Sequence, residues 1–155
     1  MALVGPNPIY PGTFTVTGTG LVSQAIGFKP NIITFEAPAR VTSLSEDTPG
    51  GTGTAQNYAG TSTGFARWDG DSIGWTQTTL HSGGSGHSIN HTSHYASDAE
   101  CISIRYANNN GTNPSYLKVA LDSVNGTGFT VNVTQFNPDV ASQVVMFTAY
   151  RTQQF

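Results

Sequence analysis

Apolar and polar residues alternate strictly in the C-terminal third of this chain. Residues 128–134 place Phe129, Val131 and Val133 on one side with threonine and asparagine between them, and a second strand-like run extends over residues 143–151. A period of two residues is the spacing of side chains on one face of a β-strand. The pattern therefore predicts two half-buried strands, the first with its phenylalanine and valines facing a core.

Short runs of the same kind recur along the rest of the chain, separated by Gly, Asn, Asp and Pro. They predict further strands at residues 13–17, 32–37, 64–68, 72–76, 100–105 and 116–121. Asp69-Gly70-Asp71 and Asn125-Gly126 lie between apolar runs, which is a hairpin signal. No segment keeps the spacing of an amphipathic helix over three turns. Many short strands with frequent turns are typical of a sandwich or a barrel, and we expect an all-β, antiparallel, jelly-roll-like β-sandwich.

A length of 155 residues predicts a single domain with one core. Residues 1–11 contain three prolines, which fix φ and remove backbone donors, so this segment is predicted to be an extended arm that reaches a neighbour. Residues 12–155 are then the β-sandwich domain. The intervals 45–63 and 81–98 are rich in Gly, Ser and Thr, and we expect them to be outward-facing polar loops.

The composition narrows the classes of function. Charged residues make up 10% of the chain, against about 25% in typical domains, and six Lys and Arg with a net charge of −3 do not form a phosphate-binding patch. We therefore expect no nucleic-acid partner. The chain shows neither a secretory signal pattern nor an 18-residue apolar run, so no membrane span is expected. Its single cysteine, Cys101, is predicted to be a small packing residue.

Four histidines lie within fourteen residues: His81, His87, His91 and His94. Imidazole is the commonest transition-metal ligand, so a metal site, formed between subunits, is one hypothesis, and a small metal-dependent enzyme would follow from it. A strand would turn His94 away from His87 and His91, whereas a helix would align all three but begins poorly at this glycine-rich segment. The pattern therefore favours hydrogen-bonding loop histidines.

Few other residues are candidates for catalysis or ligand binding. Ser85 lacks the Gly-x-Ser-x-Gly context of a nucleophile elbow, and Asp69 and Asp71 lie at a hairpin tip where solvated turn residues are usual. A sugar-stacking platform is a further hypothesis, with core packing as the alternative, for Tyr58, Trp68, Trp75, Tyr95 and Tyr106. No residue is assigned to a catalytic, cofactor-binding or metal site, and no cofactor is expected.

Three segments carry a resemblance: residues 26–33 (Ile-Gly-Phe-Lys-Pro-Asn-Ile-Ile), residues 64–66 (Gly-Phe-Ala), and residues 128–133 followed by 145–150. Their order resembles β-sandwich virion surface proteins of tailed viruses of bacteria and archaea. The resemblance implies a non-enzymatic virion protein, made in the host cytoplasm, that decorates a capsid or belongs to a tail. It also implies a homotrimer in contact with capsid or tail proteins. The alternative is a glycan- or receptor-binding adhesion module of a tail fibre.

Overall fold

β-Strands dominate the computed structural model, which describes residues 8–44, 59–68, 74–84, 92–105, 115–136 and 141–152. No helix in these residues is long and apolar enough to cross a membrane. Ten strands follow one another: β1 (Ile9–Val16), β2 (Gly20–Ala25), β3 (Ile32–Pro38), β4 (Ala59–Trp68), β5 (Trp75–Gly84), β6 (Thr92–Ser97), β7 (Ile102–Arg105), β8 (Ser115–Asn125), β9 (Gly128–Phe136) and β10 (Gln143–Tyr150).

The strands form two antiparallel sheets. One has six strands in the order β1-β10-β3-β4-β5-β6, and the other has four in the order β2-β9-β8-β7. The chain changes sheets at β2, β3, β7 and β10, and the last of these strands inserts between β1 and β3. The prediction of an all-β, antiparallel sandwich is confirmed, and a jelly-roll connectivity stays a prediction.

The core lies between the sheets, where the alternating residues of each strand meet. Phe129 is 1% exposed, and its ring packs edge-on against Phe147 at 5.0 Å and Phe35 at 6.0 Å between centroids. Val131 and Val133 are buried beside it, while Thr134 is exposed. The predicted facing of this strand is therefore confirmed, and such a fully buried aromatic cluster supplies a large share of the hydrophobic driving force.

The sequence pattern failed to predict some strands, and others begin earlier in the chain than predicted. β1 begins at Ile9 and includes Pro11, β2 has no counterpart among the predicted strands, and β4 extends back to Ala59. β5 continues to Gly84 and β6 covers Thr92–Ser97, so the prediction of loops at 45–63 and 81–98 is wrong for these strand residues. Threonine and serine are accepted in strands once neighbouring strands supply hydrogen bonds and packing, which a single polar segment does not reveal. Residues 1–7 of the predicted arm lie outside the described part.

One edge of the smaller sheet lies against the larger sheet. The Ser103 backbone N–H of β7 donates to the Ser62 hydroxyl of β4 at 3.0 Å. Gly64 of β4 has no side chain at the point where the Cys101 carbonyl approaches its backbone. This close approach brings β5, β6 and β7 together around a polar part of the interior.

Candidate functional site

The two described histidines face opposite sides of the six-stranded sheet. His81 of β5 points inward and is 4% exposed, whereas His94 of β6 is exposed and lies 3.3 Å from the Ser82 hydroxyl. The prediction of loop histidines is wrong for both, because each belongs to a strand. His87 and His91 lie outside the described residues, within which no group of three or more His, Cys, Asp or Glu side chains is arranged to hold a metal ion.

His81 belongs to a buried group of polar side chains that lack partners. Both of its ring nitrogens, the hydroxyls of Ser93 and Ser103, and Nε of Arg105 are buried without a hydrogen bond. The Arg105 guanidinium lies 3.6 Å from the centroid of the Tyr95 ring. Burying polar atoms unpaired costs free energy, so this end of the core is less favourable than the phenylalanine cluster.

Burial lowers the pKa of His81 below its ordinary value of 6.5. Backbone groups of Arg105 and Thr61 oppose this shift, while Coulombic interactions with the side chains of His94 and Arg105 add to it. The imidazole is therefore neutral at pH 7, and it stays neutral to lower pH than a solvated histidine.

Ser85, the candidate nucleophile of the sequence analysis, lies outside the described residues, as do Asp69 and Asp71.

The aromatic residues do not form one exposed platform in the described part of the chain. Trp68 and Trp75 face each other across the β4–β5 pair at 5.7 Å, and Trp75 packs against the core. Lys29 lies 5.7 Å from the centroid of the Trp68 ring. Tyr95 is covered by Arg105, and its hydroxyl donates to Glu100 at 3.3 Å. Tyr58 and Tyr106 are outside the described residues.

The outer face of the six-stranded sheet, meaning the side chains of its strands that point away from the core, combines exposed apolar side chains with threonines. Four large side chains are exposed on it: Ile9 (61%), Leu80 (58%), Met146 (45%) and Phe65 (39%). Threonines from all six strands occupy many of the other positions: Thr13, Thr15, Thr34, Thr61, Thr63, Thr76, Thr78, Thr92 and Thr148. Among the described strand residues of this face, Glu36 and Arg67 carry the only full charges.

A shallow groove of about 440 Å³ crosses this outer face over β1, β10 and β3. It follows two register rows, in which Thr13 pairs with Met146 and Met146 with Glu36, and Pro11 pairs with Thr148 and Thr148 with Thr34. The lining residues are Pro11, Gly12, Thr13, Thr34, Phe35, Glu36, Met146, Phe147 and Thr148. Among these lining residues Glu36 is the only ionisable side chain.

The four-stranded sheet has a different outer face. Its side chains bond to one another or to the backbone: Ser23 and Thr130 share a hydrogen bond of 2.9 Å, and Thr134 donates to the Lys118 carbonyl at 3.4 Å. Leu21, on the edge strand β2, is the large apolar side chain exposed on this side within the described residues. The sandwich is therefore two-sided, with one polar, internally bonded face and one apolar face with few charges.

Sequence reasoning missed this apolar face, although a signal for it exists. Phe65 shares a strand face with Arg67, and Leu80 shares one with Thr78 and Ser82. Since residues two apart point to the same side, the solvated partner indicates that the large apolar side chain is exposed too. If Phe65 is assigned to the core because its neighbours in the sequence are apolar, the apolar outer face is not recognised.

No family model, no curated protein and no solved structure matches this chain. The resemblance to virion surface proteins therefore depends on the three short segments given above. Function has to be inferred from the surfaces of the molecule.

Proposed function

We propose that this chain is a structural subunit of a virion surface, as a capsid decoration or a tail-associated protein, that assembles with copies of itself. The observation that carries self-assembly is the outer face of the six-stranded sheet, with exposed Ile9, Phe65, Leu80 and Met146 and few charges. Exposed apolar patches of this kind mark interaction sites, and depletion of charge is typical of the buried centre of an interface. The virion location is supported by the resemblance.

The size of the face suits an interface. Six strands spaced about 4.8 Å apart, each about eight residues of about 3.3 Å long, cover roughly 750 Å². Stable interfaces bury about 800 Å² on each partner. Contact across the outer face would therefore be of ordinary size, and the resemblance implies a homotrimer.

Surface chemistry also favours assembly over catalysis. The threonines of the outer face have short, stiff, β-branched side chains, which lose little conformational freedom when a partner covers them. The exposed Phe65 and Leu80 lie on neighbouring strands, diagonal to each other, since Phe65 pairs with Thr78 two residues before Leu80. These two side chains are the expected centre of the contact.

The molecular mass in solution tests this proposal. Sedimentation equilibrium of the purified chain should give a multiple of 16.3 kDa. The double variant Phe65→Lys/Leu80→Lys places two charges at the centre of the face, so the mass should fall, while circular dichroism still reports the strands. The matched control Thr134→Lys adds a charge to the polar face of the other sheet and should leave the mass unchanged.

Two results would refute the proposal. The first is a mass that the Phe65→Lys/Leu80→Lys variant leaves unaltered. The second is a wild-type chain that stays monomeric at every concentration and is absent from purified virions of the virus that encodes it. Glycan binding by such a monomer would instead support the adhesion module.

A further inference from the structure

The two sheets have four edge strands, and their free backbone groups differ. A sheet edge exposes N–H and C=O groups that pair with another strand unless proline, charge or a covering element prevents it. β7 is covered, because its Ser103 N–H is bonded to the Ser62 hydroxyl of β4. β6 contacts β7, whose Arg105 side chain lies over the Tyr95 ring. The edges of β1 and β2 lie away from this contact.

Pro11 blocks the middle of the β1 edge. The Arg151 N–H donates to the Pro8 carbonyl at 3.1 Å, which fixes the alternation of hydrogen-bonded residues along the β1–β10 pair. Counting in steps of two from Pro8, the even-numbered residues of β1 bond to β10 and the odd-numbered ones point their backbone groups away. Pro11 is odd-numbered and has no N–H, so the free edge of β1 lacks its central donor.

The β2 edge keeps all its donors. The Ile26 N–H donates to the Thr127 carbonyl at 2.8 Å, and the register continues through Gln24↔Phe129 and Val22↔Val131. Even-numbered residues therefore bond to β9, and the N–H and C=O groups of Leu21, Ser23 and Ala25 point to the free edge. The Ser23 carbonyl accordingly accepts a hydrogen bond of 2.9 Å from the Gln24 side chain, as an unused edge carbonyl would.

Nothing in the sequence of β2 protects this edge. Gly20–Ala25 contains no proline and no charged residue, and its register with β9 runs without a bulge. Leu21 is 65% exposed on the outer side. By the criteria that natural sheets use to prevent pairing, β2 is an open edge.

We propose that β2 pairs with β2 of a second copy, antiparallel and about a two-fold axis at Ser23. The two Ser23 residues exchange N–H···O=C bonds, and Leu21 of each copy pairs with Ala25 of the other, giving about six backbone hydrogen bonds. The two four-stranded sheets then form one continuous sheet of eight strands. The Gln24 side chain leaves the Ser23 carbonyl, which the partner strand then satisfies.

A second copy fits this edge because the pairing is self-complementary. Leu21 meets a small Ala25, serine meets serine, and no like charges oppose each other since the strand has none. A two-fold contact is also closed, so it does not propagate into fibres. This interface is separate from the outer face of the six-stranded sheet and does not depend on the virion location.

The first test removes the central donor. In the Phe65→Lys/Leu80→Lys background, which isolates the β2 edge, sedimentation equilibrium should show a dimer of 16.3 kDa subunits. Adding Ser23→Pro should give a monomer, because proline removes the N–H that donates to the partner strand. The fold should tolerate this change because β9 does not use that N–H. Ser23→Ala keeps the N–H and should stay dimeric. In the dimer, hydrogen exchange of the Leu21 and Ala25 amides should be slower than in the Ser23→Pro monomer.

A charge swap identifies the two-fold axis and does not require proline to be tolerated. Ser23→Lys and Ser23→Glu each place like charges opposite themselves, so each should dimerise about two- to fivefold more weakly at low salt than Ser23→Ala. An equimolar mixture of the two should restore dimers. A background variant that is monomeric, or a mixture that dimerises no better than its components, overturns the β2 pairing. Loss of assembly in Phe65→Lys/Leu80→Lys alone would leave only the outer face as the interface.

Discussion

Replacing His81 with leucine should not destabilise the protein at pH 8, although the residue is 4% exposed. Its two ring nitrogens are buried without a hydrogen bond of good geometry, although backbone groups of Arg105 and Thr61 lie close enough to raise its pKa, and an unpaired buried polar group costs about 1–3 kcal/mol. An apolar side chain of similar size avoids that cost. We expect the free energy of unfolding of His81→Leu to equal the wild-type value or exceed it by up to about 2 kcal/mol, which corresponds to a Tm increase of about 4–8 °C at this chain length.

The pH dependence follows from the direction of the His81 pKa shift. Burial lowers this pKa in the folded state below 6.5, so the unfolded chain binds the proton more readily. The stability due to neutral His81 is complete above pH 6.5 and decreases as the pH falls below it, by at most about 1.4 kcal/mol per pH unit. The decrease ends at the folded-state pKa. Coulombic interactions with His94, on the other side of the sheet, and with Arg105 of β7 add to the cost of protonating the ring.

Urea unfolding at intervals between pH 8 and pH 5 measures both effects. The wild type should lose stability below pH 6.5 relative to His81→Leu, and the exposed His94→Gln control should keep most of the wild-type slope. The reasoning is refuted if His81→Leu loses more than about 1 kcal/mol at pH 8. It is also refuted if His81→Leu and wild type have the same slope between pH 6.5 and pH 5.5.

Two further predictions concern the contact between β7 and β4. Gly64→Ala would place a Cβ against the Cys101 carbonyl and 2.5 Å from the Thr78 carbonyl, so thermal melts should show a loss of stability of more than about 2 kcal/mol. In the control Gly126→Ala the added Cβ meets nothing within 4 Å, so stability should change by less than about 0.5 kcal/mol. Equal losses in the two variants would contradict this contact. Cys101 is 0% exposed, and burial raises the pKa of its thiol, so a maleimide should label it only in denaturant. Rapid labelling of the native protein would show that this contact opens.

The alternation of apolar and polar residues was enough to predict the sheet class and the facing of β9. The strand predicted at residues 116–121 is part of β8, in which the alternating Leu117 and Val119 are fully buried. The alternation was not enough for β2, whose six residues include only three apolar ones in no regular pattern, nor for β6, which is mostly polar. These strands form because neighbouring strands bond to them, and that information is not local.

The candidate surfaces were harder to predict for the same reason. The burial of His81 depends on the register that pairs it with Ser62 of β4, and the local sequence around His81 does not reveal this pairing. The open edge of β2 depends on which backbone groups β9 uses, and the sequence alone does not give this pairing. The exposure of Phe65 was readable from Arg67 on the same face, but only once that strand was known to lie in the larger sheet.

The insertion of β10 between β1 and β3 sets when the larger sheet can form. About a hundred residues separate Pro38 from Gln143, so a ribosome adding about 5–20 residues each second needs roughly 5–20 s between them. Until then β3 has an open side and β1 has no neighbour, since both pair with β10. The β1–β10–β3 part of the larger sheet therefore forms only at the end of synthesis, and chaperones that shield exposed strands have their longest opportunity to act on β1 and β3 before Tyr150 emerges.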